Sequence, residues 1–189
     1  KEAYNDGSVH LFLDGFAAPD PGIEPRNDTR CIENHAAQII DLYKCKGSGF
    51  VDSLRGSFAI ALWDARERKL ILATDHFGTR SIYYTNLDSR FGFAPRISCF
   101  AAASEIKKIV DPNSLYFYLN HSFIPAPYTI YKNIRRLEPG HVLIRVNGGA
   151  AVRRYWDVSY DEDYSLNEAA AAASLQHPNI LPLYDSGAV

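Results

Sequence analysis

Cys31 and His35 are the first residues whose types and spacing could support chemistry. They lie four residues apart, so on a helix they would share one face, as a thiol–imidazole pair or as two metal ligands. The plainer alternative is a half-buried cysteine and a histidine at the helix end. We favour it because no second cluster of Cys and His with ligand spacing accompanies them. The sequence therefore predicts no metal site.

Asp75 and His76 form a second cluster, a carboxylate and an imidazole on adjacent residues of a turn. Side chains of these types can transfer protons when a substrate lies within hydrogen-bond reach. The alternative is a turn with a purely structural role.

The elements around this turn are predicted from two apolar runs. Residues 58–63 are continuously apolar and end at Asp64, and a short charged stretch leads to a second apolar run at residues 70–74. This spacing predicts two antiparallel strands joined by a hairpin, with a third strand at residues 81–84. Because runs that are apolar on both faces need cover on both sides, we expect this hairpin at the centre of a layered sheet.

The flanking sequence predicts helices and further strands. Apolar spacing predicts a helix over residues 33–46, and another short helix is predicted through Ile109. Strands are predicted at residues 8–13, 91–94, 141–146 and 151–156, the last two joined at an Asn-Gly-Gly turn. These patterns alone indicate a mixed protein with antiparallel hairpins.

A further helix is predicted to begin at Asp111-Pro112 and to run to about Asn120. We expect it to pack its apolar side chains inward, namely Leu115, Tyr118 and Leu119.

Composition limits the classes of partner and compartment. The chain has 189 residues, 47% of them hydrophobic and 22% charged, with a net charge of −2. That charge argues against a nucleic-acid or anionic-membrane partner. No apolar run approaches the roughly 20 residues of a membrane span, and no signal peptide opens the chain. The three cysteines are an odd number without close spacing, so we expect no disulfide framework and a cytoplasmic protein. We expect Cys45 and Cys99 to lie in the core.

Ordered sequence blocks carry a family resemblance. A glycine is followed by FAIALWD, a charged hairpin, DHFG and a Tyr-Tyr pair, and then by ASEIK, IPAP, IRRLEPGH and RYWD. This order resembles the glutaminase domain, a class II glutamine amidotransferase, of glutamine-dependent asparagine synthetases. The resemblance covers roughly residues 8–157. It implies an α+β fold, a four-layer αββα sandwich of the N-terminal-nucleophile hydrolase type, in which the turn at residues 75–78 is structural.

The resemblance also implies where a site would lie. The family's nucleophile is a cysteine at the mature N-terminus, whereas this sequence begins with Lys1, so we expect no catalytic residue in the chain. The family's oxyanion-binding Asn-Gly corresponds to Asp14 and Gly15, followed by Phe16 in place of Glu. The aspartate that binds the substrate's α-amine corresponds to His35. We therefore expect an altered substrate site at Asp14, Gly15 and His35.

The two ends of the sequence carry expectations of their own. The sequence contains no Met, which predicts a piece of a longer product whose sandwich is incomplete at its N-terminus. We expect residues 1–157 to form the amidotransferase domain. Residues 158–189 should form a linker helix and a tail that resembles a fragment of a bacterial serine/threonine kinase.

Three functional hypotheses follow. The first is a catalytically silent glutaminase-type domain of an asparagine synthetase-like ligase, in which glutamine, aspartate and ATP give asparagine. ATP and Mg²⁺ would act in a synthetase domain, the expected partner, and this chain would bind no cofactor. The resemblance also leaves room for a homodimer. The second is a scaffold domain of a β-lactam synthetase-like or lasso-peptide cyclase-like enzyme, and the third is a non-enzymatic module attached to a kinase.

Overall fold

Two antiparallel sheets organise the chain in this computed structural model, which describes residues 2–20, 35–87, 90–103 and 105–159. The larger sheet contains six strands, β1 (Glu2–Asn5), β2 (Val9–Pro19), β3 (Leu54–Asp64), β4 (Lys69–Thr74), β8 (His141–Val146) and β9 (Gly149–Arg154), paired in that order. The smaller sheet has the order β6 (Arg90–Ala94), β5 (Tyr83–Leu87), β7 (Arg135–Arg136). Strands β1 and β9 are the edges of the larger sheet, and β6 is an edge of the smaller one.

The predicted central hairpin is confirmed as β3 and β4. Alternate residues of a strand point to opposite faces, so β3 supplies two cores at once. Phe58 and Ile60 contribute to a core shared with the first helix, whereas Ala59 joins the core between the sheets. The expectation that both faces of the hairpin are covered is therefore confirmed.

Helix α1 (His35–Lys46) covers the outer face of the larger sheet. Its buried side chains, Ala36, Ile39, Ile40 and Tyr43, have the spacing that predicted the helix. The Tyr43 hydroxyl donates a hydrogen bond of 2.8 Å to the Asp64 carboxylate at the end of β3. Burial alone would raise the pKa of Asp64, but this bond and the backbone N–H groups of Arg66 and Glu67 hold it below its usual value. The helix is thus tied to the hairpin turn.

The layers follow from the hydrophobic cores. Leu72 and Leu143 of the larger sheet pack against Ile82 and Leu137 in the core between the sheets. On the far face of the smaller sheet, Phe100 of a 3-10 helix (Ile97–Ala102) packs with other buried residues. The predicted α+β sandwich of two stacked antiparallel sheets is therefore confirmed.

Two predictions about helices are wrong. The short helix expected through Ile109 is replaced by the 3-10 helix at residues 97–102 and an irregular segment. Helix α2 (Pro112–His121) forms where expected, but Leu115, Tyr118 and Leu119 are 40%, 54% and 73% exposed. Ser114 is the side chain that the helix buries, and its hydroxyl donates to the Asp111 carboxylate. The apolar spacing predicted the helix correctly but not which face is covered.

The expected core positions of Cys45 and Cys99 are also wrong. Both are exposed free thiols, Cys45 in the last turn of α1 and Cys99 in the 3-10 helix. Small or apolar neighbours in sequence did not place them inside because each lies on the outer face of a helical turn.

Residues 1–157 form one compact unit. The predicted tail lies outside the described residues from residue 160 onward, as does Cys31, so the tail and the thiol–imidazole pair stay predictions. In the described part of the chain, no helix has the length and apolar character needed to cross a bilayer.

Candidate functional site

The predicted site begins where β2 and β3 come unusually close. Gly15 pairs with Phe58, and Gly56 pairs with Ala17. Both glycines have positive φ, +103° and +136°, which side chains rarely adopt. A Cβ on Gly15 would overlap the Ser57 carbonyl oxygen, and one on Gly56 would overlap that of Phe16. The two glycines therefore permit the close approach that fixes Asp14, Gly15 and Phe16 beside β3.

Asp14 lines a slot of about 260 Å³ between the two sheets. The slot has mostly apolar walls, including Phe12, Ile82 and Phe93. The Asp14 carboxylate lies 3.9 Å from the guanidinium of Arg80. Asp14 thus presents a carboxylate beside a partly exposed cation, at the position where the family resemblance predicts an amide donor.

The turn that carries Arg80 is held by Asp75, which is 1% exposed. The Asp75 carboxylate accepts hydrogen bonds from the backbone N–H groups of Phe58 (3.2 Å), Phe77 (2.9 Å), Thr79 (3.2 Å) and Arg80 (3.4 Å), and from the Thr79 hydroxyl (2.6 Å). Because the Thr79 hydroxyl donates to this carboxylate, the Ser57 hydroxyl must donate to Thr79 across their 2.6 Å contact. This network links β3, beside the close approach at Gly15 and Gly56, to the turn after β4.

The bonds to Asp75 also set its ionisation. Burial alone would raise the pKa of this carboxyl, but the hydrogen bonds from Thr79, Phe77 and Phe58 outweigh burial and hold the pKa below its usual value. Asp75 is therefore a structural anion, and both of its carboxylate oxygens accept hydrogen bonds from neighbouring donors.

No hydrogen bond joins His76 to Asp75, whose carboxylate accepts from other donors. The His76 ring stacks on Trp156, with centroids 4.6 Å apart, and its Nε2 is buried without a hydrogen-bond partner. Burial, reinforced by the positive charge of Arg55, lowers the pKa of His76. The structural interpretation of this turn thus fits the contacts of both residues.

His35 opens α1 and contacts Phe16 of the predicted site. The two rings meet edge to face with centroids 4.7 Å apart, and the Nδ1 atom of His35 is buried without a hydrogen-bond partner. An imidazole against a phenyl ring offers no carboxylate to a substrate ammonium group. The structure thus places Phe16 and His35 together, with Phe16 two residues along β2 from Asp14.

The described residues offer little else for catalysis or metal binding. Among them, no group of three or more His, Cys, Asp or Glu side chains is arranged to hold a metal ion. Cys45 and Cys99 are exposed thiols on α1 and on the 3-10 helix, and neither lines the slot beside Asp14.

Three features of the site were missed by sequence reasoning. Arg80, the Ser57–Thr79 pair and Gly56 all depend on the pairing of β2 with β3 and on the path of the turn after β4. The only signals in the sequence were Gly56 at the start of an apolar strand and the Arg that ends the turn. Neither signal indicates a contact with Asp14.

The two stacked antiparallel sheets define a fold class, the α+β sandwich of the N-terminal-nucleophile type. The structure of glutamine phosphoribosylpyrophosphate amidotransferase from B. subtilis has this fold in common with the chain, at a TM-score of 0.50 and 15% identity, covering 81% of this chain and 30% of that one. Residues 29–156 match the family described as the glutamine amidotransferase domain. The chain belongs to this family.

The curated relatives that the chain matches are much longer than the chain. The chain is 36% identical over 129 residues to the amidase chyE of Penicillium rubens, which covers 67% of this chain and 18% of that protein. It is 35% identical over 114 residues to asparagine synthetase [glutamine-hydrolyzing] 3 of Bacillus subtilis, covering 59% of this chain and 18% of the synthetase. The chain thus spans about a fifth of the length of the curated relatives that it matches.

Proposed function

We propose that this chain is the glutaminase-type domain of an asparagine synthetase-like, ATP-dependent ligase, and that the chain itself does not hydrolyse glutamine. Its family membership and its similarity to an asparagine synthetase support the first part. In such an enzyme, the domain would pair with a synthetase domain that binds ATP and Mg²⁺. We propose a cytoplasmic location for it.

Asp14 is the observation that carries the proposed silence. Amide hydrolysis passes through an oxyanion that hydrogen-bond donors must stabilise, and losing one donor typically lowers the rate by about 10²–10³-fold. A carboxylate in that position does more than remove a donor, because it repels the developing negative charge. Arg80 lies 3.9 Å from Asp14 and compensates the carboxylate charge in part. It does not supply the missing donor.

The purified full chain is expected to release no ammonia from glutamine above the level of a Cys31→Ala variant. The physical reason is the combination of an anion at the oxyanion position and the absence of a cysteine thiol along the described lining of the slot. Ammonia release would be followed with a coupled glutamate dehydrogenase assay. Turnover that Cys31→Ala abolishes would contradict the silence, and Cys45→Ala would serve as the matched thiol control.

A second candidate is a scaffold domain in an amide-forming enzyme that no longer uses glutamine. The specific observation that favours it is the contact of Phe16 with His35, at a ring distance of 4.7 Å. This pair occupies the position where the resemblance places the α-amine-binding carboxylate, and it presents no negative charge there. The third hypothesis, a module attached to a kinase, stays a prediction.

Glutamine is expected not to bind the wild-type chain measurably, whereas a triple variant, Asp14→Asn, Phe16→Glu and His35→Asp, should bind at least about tenfold more tightly. A charge-assisted hydrogen bond to an ammonium group contributes about 1.5–3 kcal/mol, and a tenfold change in affinity requires about 1.4 kcal/mol. Isothermal titration calorimetry measures both affinities. The control is His121→Asp, the same change at an exposed position of α2. Wild-type binding as tight as that of the triple variant would exclude the scaffold candidate.

A further inference from the structure

A second and larger groove opens between the two sheets, away from Asp14. It has a volume of about 1210 Å³, and its lining shares Phe93 with the slot beside Asp14. On the larger sheet, its wall is a row of three residues on adjacent strands, because Trp63 pairs with Leu70 and Leu70 pairs with Arg145. We name this space the inter-sheet groove.

The charge of the inter-sheet groove is mostly positive. Its lining includes four basic side chains, Arg90, Lys107, Lys132 and Arg145, and one carboxylate, Glu105. The guanidinium of Arg90 forms an ion pair with this carboxylate, at 3.9 Å. In the described part of the chain, Lys107, Lys132 and Arg145 make no ion pair, which is notable in a protein of net charge −2. The groove therefore concentrates positive charge and favours an anion.

Aromatic rings line the same groove. Trp63 is 38% exposed there, and the guanidinium of Arg145 lies 5.1 Å from the centre of the Phe91 ring. Phe91 in turn stacks on Tyr84. Its ring is therefore covered by protein groups, whereas Trp63 presents free indole surface to a ligand. Flat rings bind such surfaces by stacking.

Two buried polar atoms in the lining lack partners. The Nε of Arg145 and the Oδ1 of Asn133 are buried and make no hydrogen bond with the protein. The Asn133 amide is oriented by its Nδ2, which donates to the Lys107 carbonyl at 2.8 Å, and its backbone carbonyl accepts from the Thr85 hydroxyl at 2.7 Å. Buried donors and acceptors are normally paired, so an unpaired donor and an unpaired acceptor in one groove indicate a polar ligand.

We propose that the inter-sheet groove binds a nucleoside phosphate. The phosphate would lie between the ammonium groups of Lys107 and Lys132, and the flat base would lie on Trp63. The base edge would accept a hydrogen bond from Arg145 and donate one to Asn133. No other ligand class is matched as well, because an acidic peptide uses the charge but not the indole surface and the paired donor and acceptor.

ADP titrated into the full chain is expected to quench part of its tryptophan fluorescence and to bind with a submillimolar Kd. The sequence contains two tryptophans, Trp63 and Trp156, so loss of the quench in Trp63→Phe with calorimetric binding retained would assign the signal. The double variant Lys107→Ala and Lys132→Ala is expected to weaken binding by at least about tenfold, since two charge-assisted contacts are removed. Lys108→Ala is the matched control, because Lys108 is the neighbouring lysine and does not line the groove.

Inorganic tripolyphosphate and oligoglutamate carry negative charge without a flat ring, so they test whether the groove selects the ring as well as the charge. Both are expected to bind at least about tenfold more weakly than ADP, because neither presents a flat ring. Equal binding of either one would overturn the proposal, since it would show a surface that selects charge alone. Absence of ADP binding, or unchanged ADP binding in the double lysine variant, would overturn it as well. Circular dichroism checks that each variant is folded, and none of these readouts depends on glutamine hydrolysis.

Discussion

Gly56→Ala is expected to lower the free energy of unfolding by about 3–5 kcal/mol. A methyl group there would overlap the carbonyl oxygen of Phe16 on β2, and alanine would also have to adopt a φ of +136°. Backbone strain of this kind typically contributes about 1–3 kcal/mol, and overpacking contributes a similar amount. Urea unfolding followed by circular dichroism measures the loss.

Gly7→Ala is the matched control for this substitution. Gly7 also has a positive φ, +94°, but a methyl group there would meet nothing within 4 Å. It should cost about 1–2 kcal/mol, the contribution of strain alone. If both variants lost the same stability, the close approach of β2 and β3 would not be what requires Gly56.

Asp75→Ala is the second substitution with a large expected effect, a loss of about 3–5 kcal/mol. The carboxylate is 1% exposed and accepts five hydrogen bonds. Its removal would leave several buried donors unpaired, each at about 1–3 kcal/mol before the turn relaxes. Thermal and urea unfolding measure the change. Asp41→Ala, at an exposed carboxylate on α1, should change stability by less than about 0.5 kcal/mol.

The same carboxylate predicts a pH dependence of stability. Its pKa is lower in the folded protein, so its contribution is complete above the unfolded pKa of about 3.9 and is lost as pH falls through the folded value. Wild-type stability should therefore fall more steeply below about pH 4 than that of Asp75→Asn, which cannot titrate. Parallel curves for the two proteins would contradict the low pKa of Asp75.

The local elements of this fold could be predicted from sequence because their signals are local. The apolar runs of β3 and β4 and the helical spacing of Ala36, Ile39 and Ile40 each lie within one element. Strand β1 was missed because its four residues, Glu2–Asn5, carry too short a pattern to stand out. The prediction of which face of α2 is covered was wrong. Amphipathic spacing shows that a helix has an apolar side, but it does not show what covers that side.

The candidate site could be predicted only in part. Asp14, Gly15 and His35 came from a family resemblance, and their roles stay predictions. The structure adds the contact of Phe16 with His35 and the position of Arg80 beside Asp14. Both contacts join residues distant in sequence, so they depend on tertiary packing that no local pattern encodes.

The edge strands β9 and β6 differ in their tendency to pair with another molecule. Every residue of β9 is exposed, and its charged side chains Arg153 and Arg154, which form ion pairs with Asp52 and Asp157, discourage strand pairing with another molecule. Strand β6 has no second strand partner among the described residues, and its Phe93 is 43% exposed. Association between molecules in concentrated solution should therefore begin at β6, and a lysine introduced on that edge is the natural way to improve solubility.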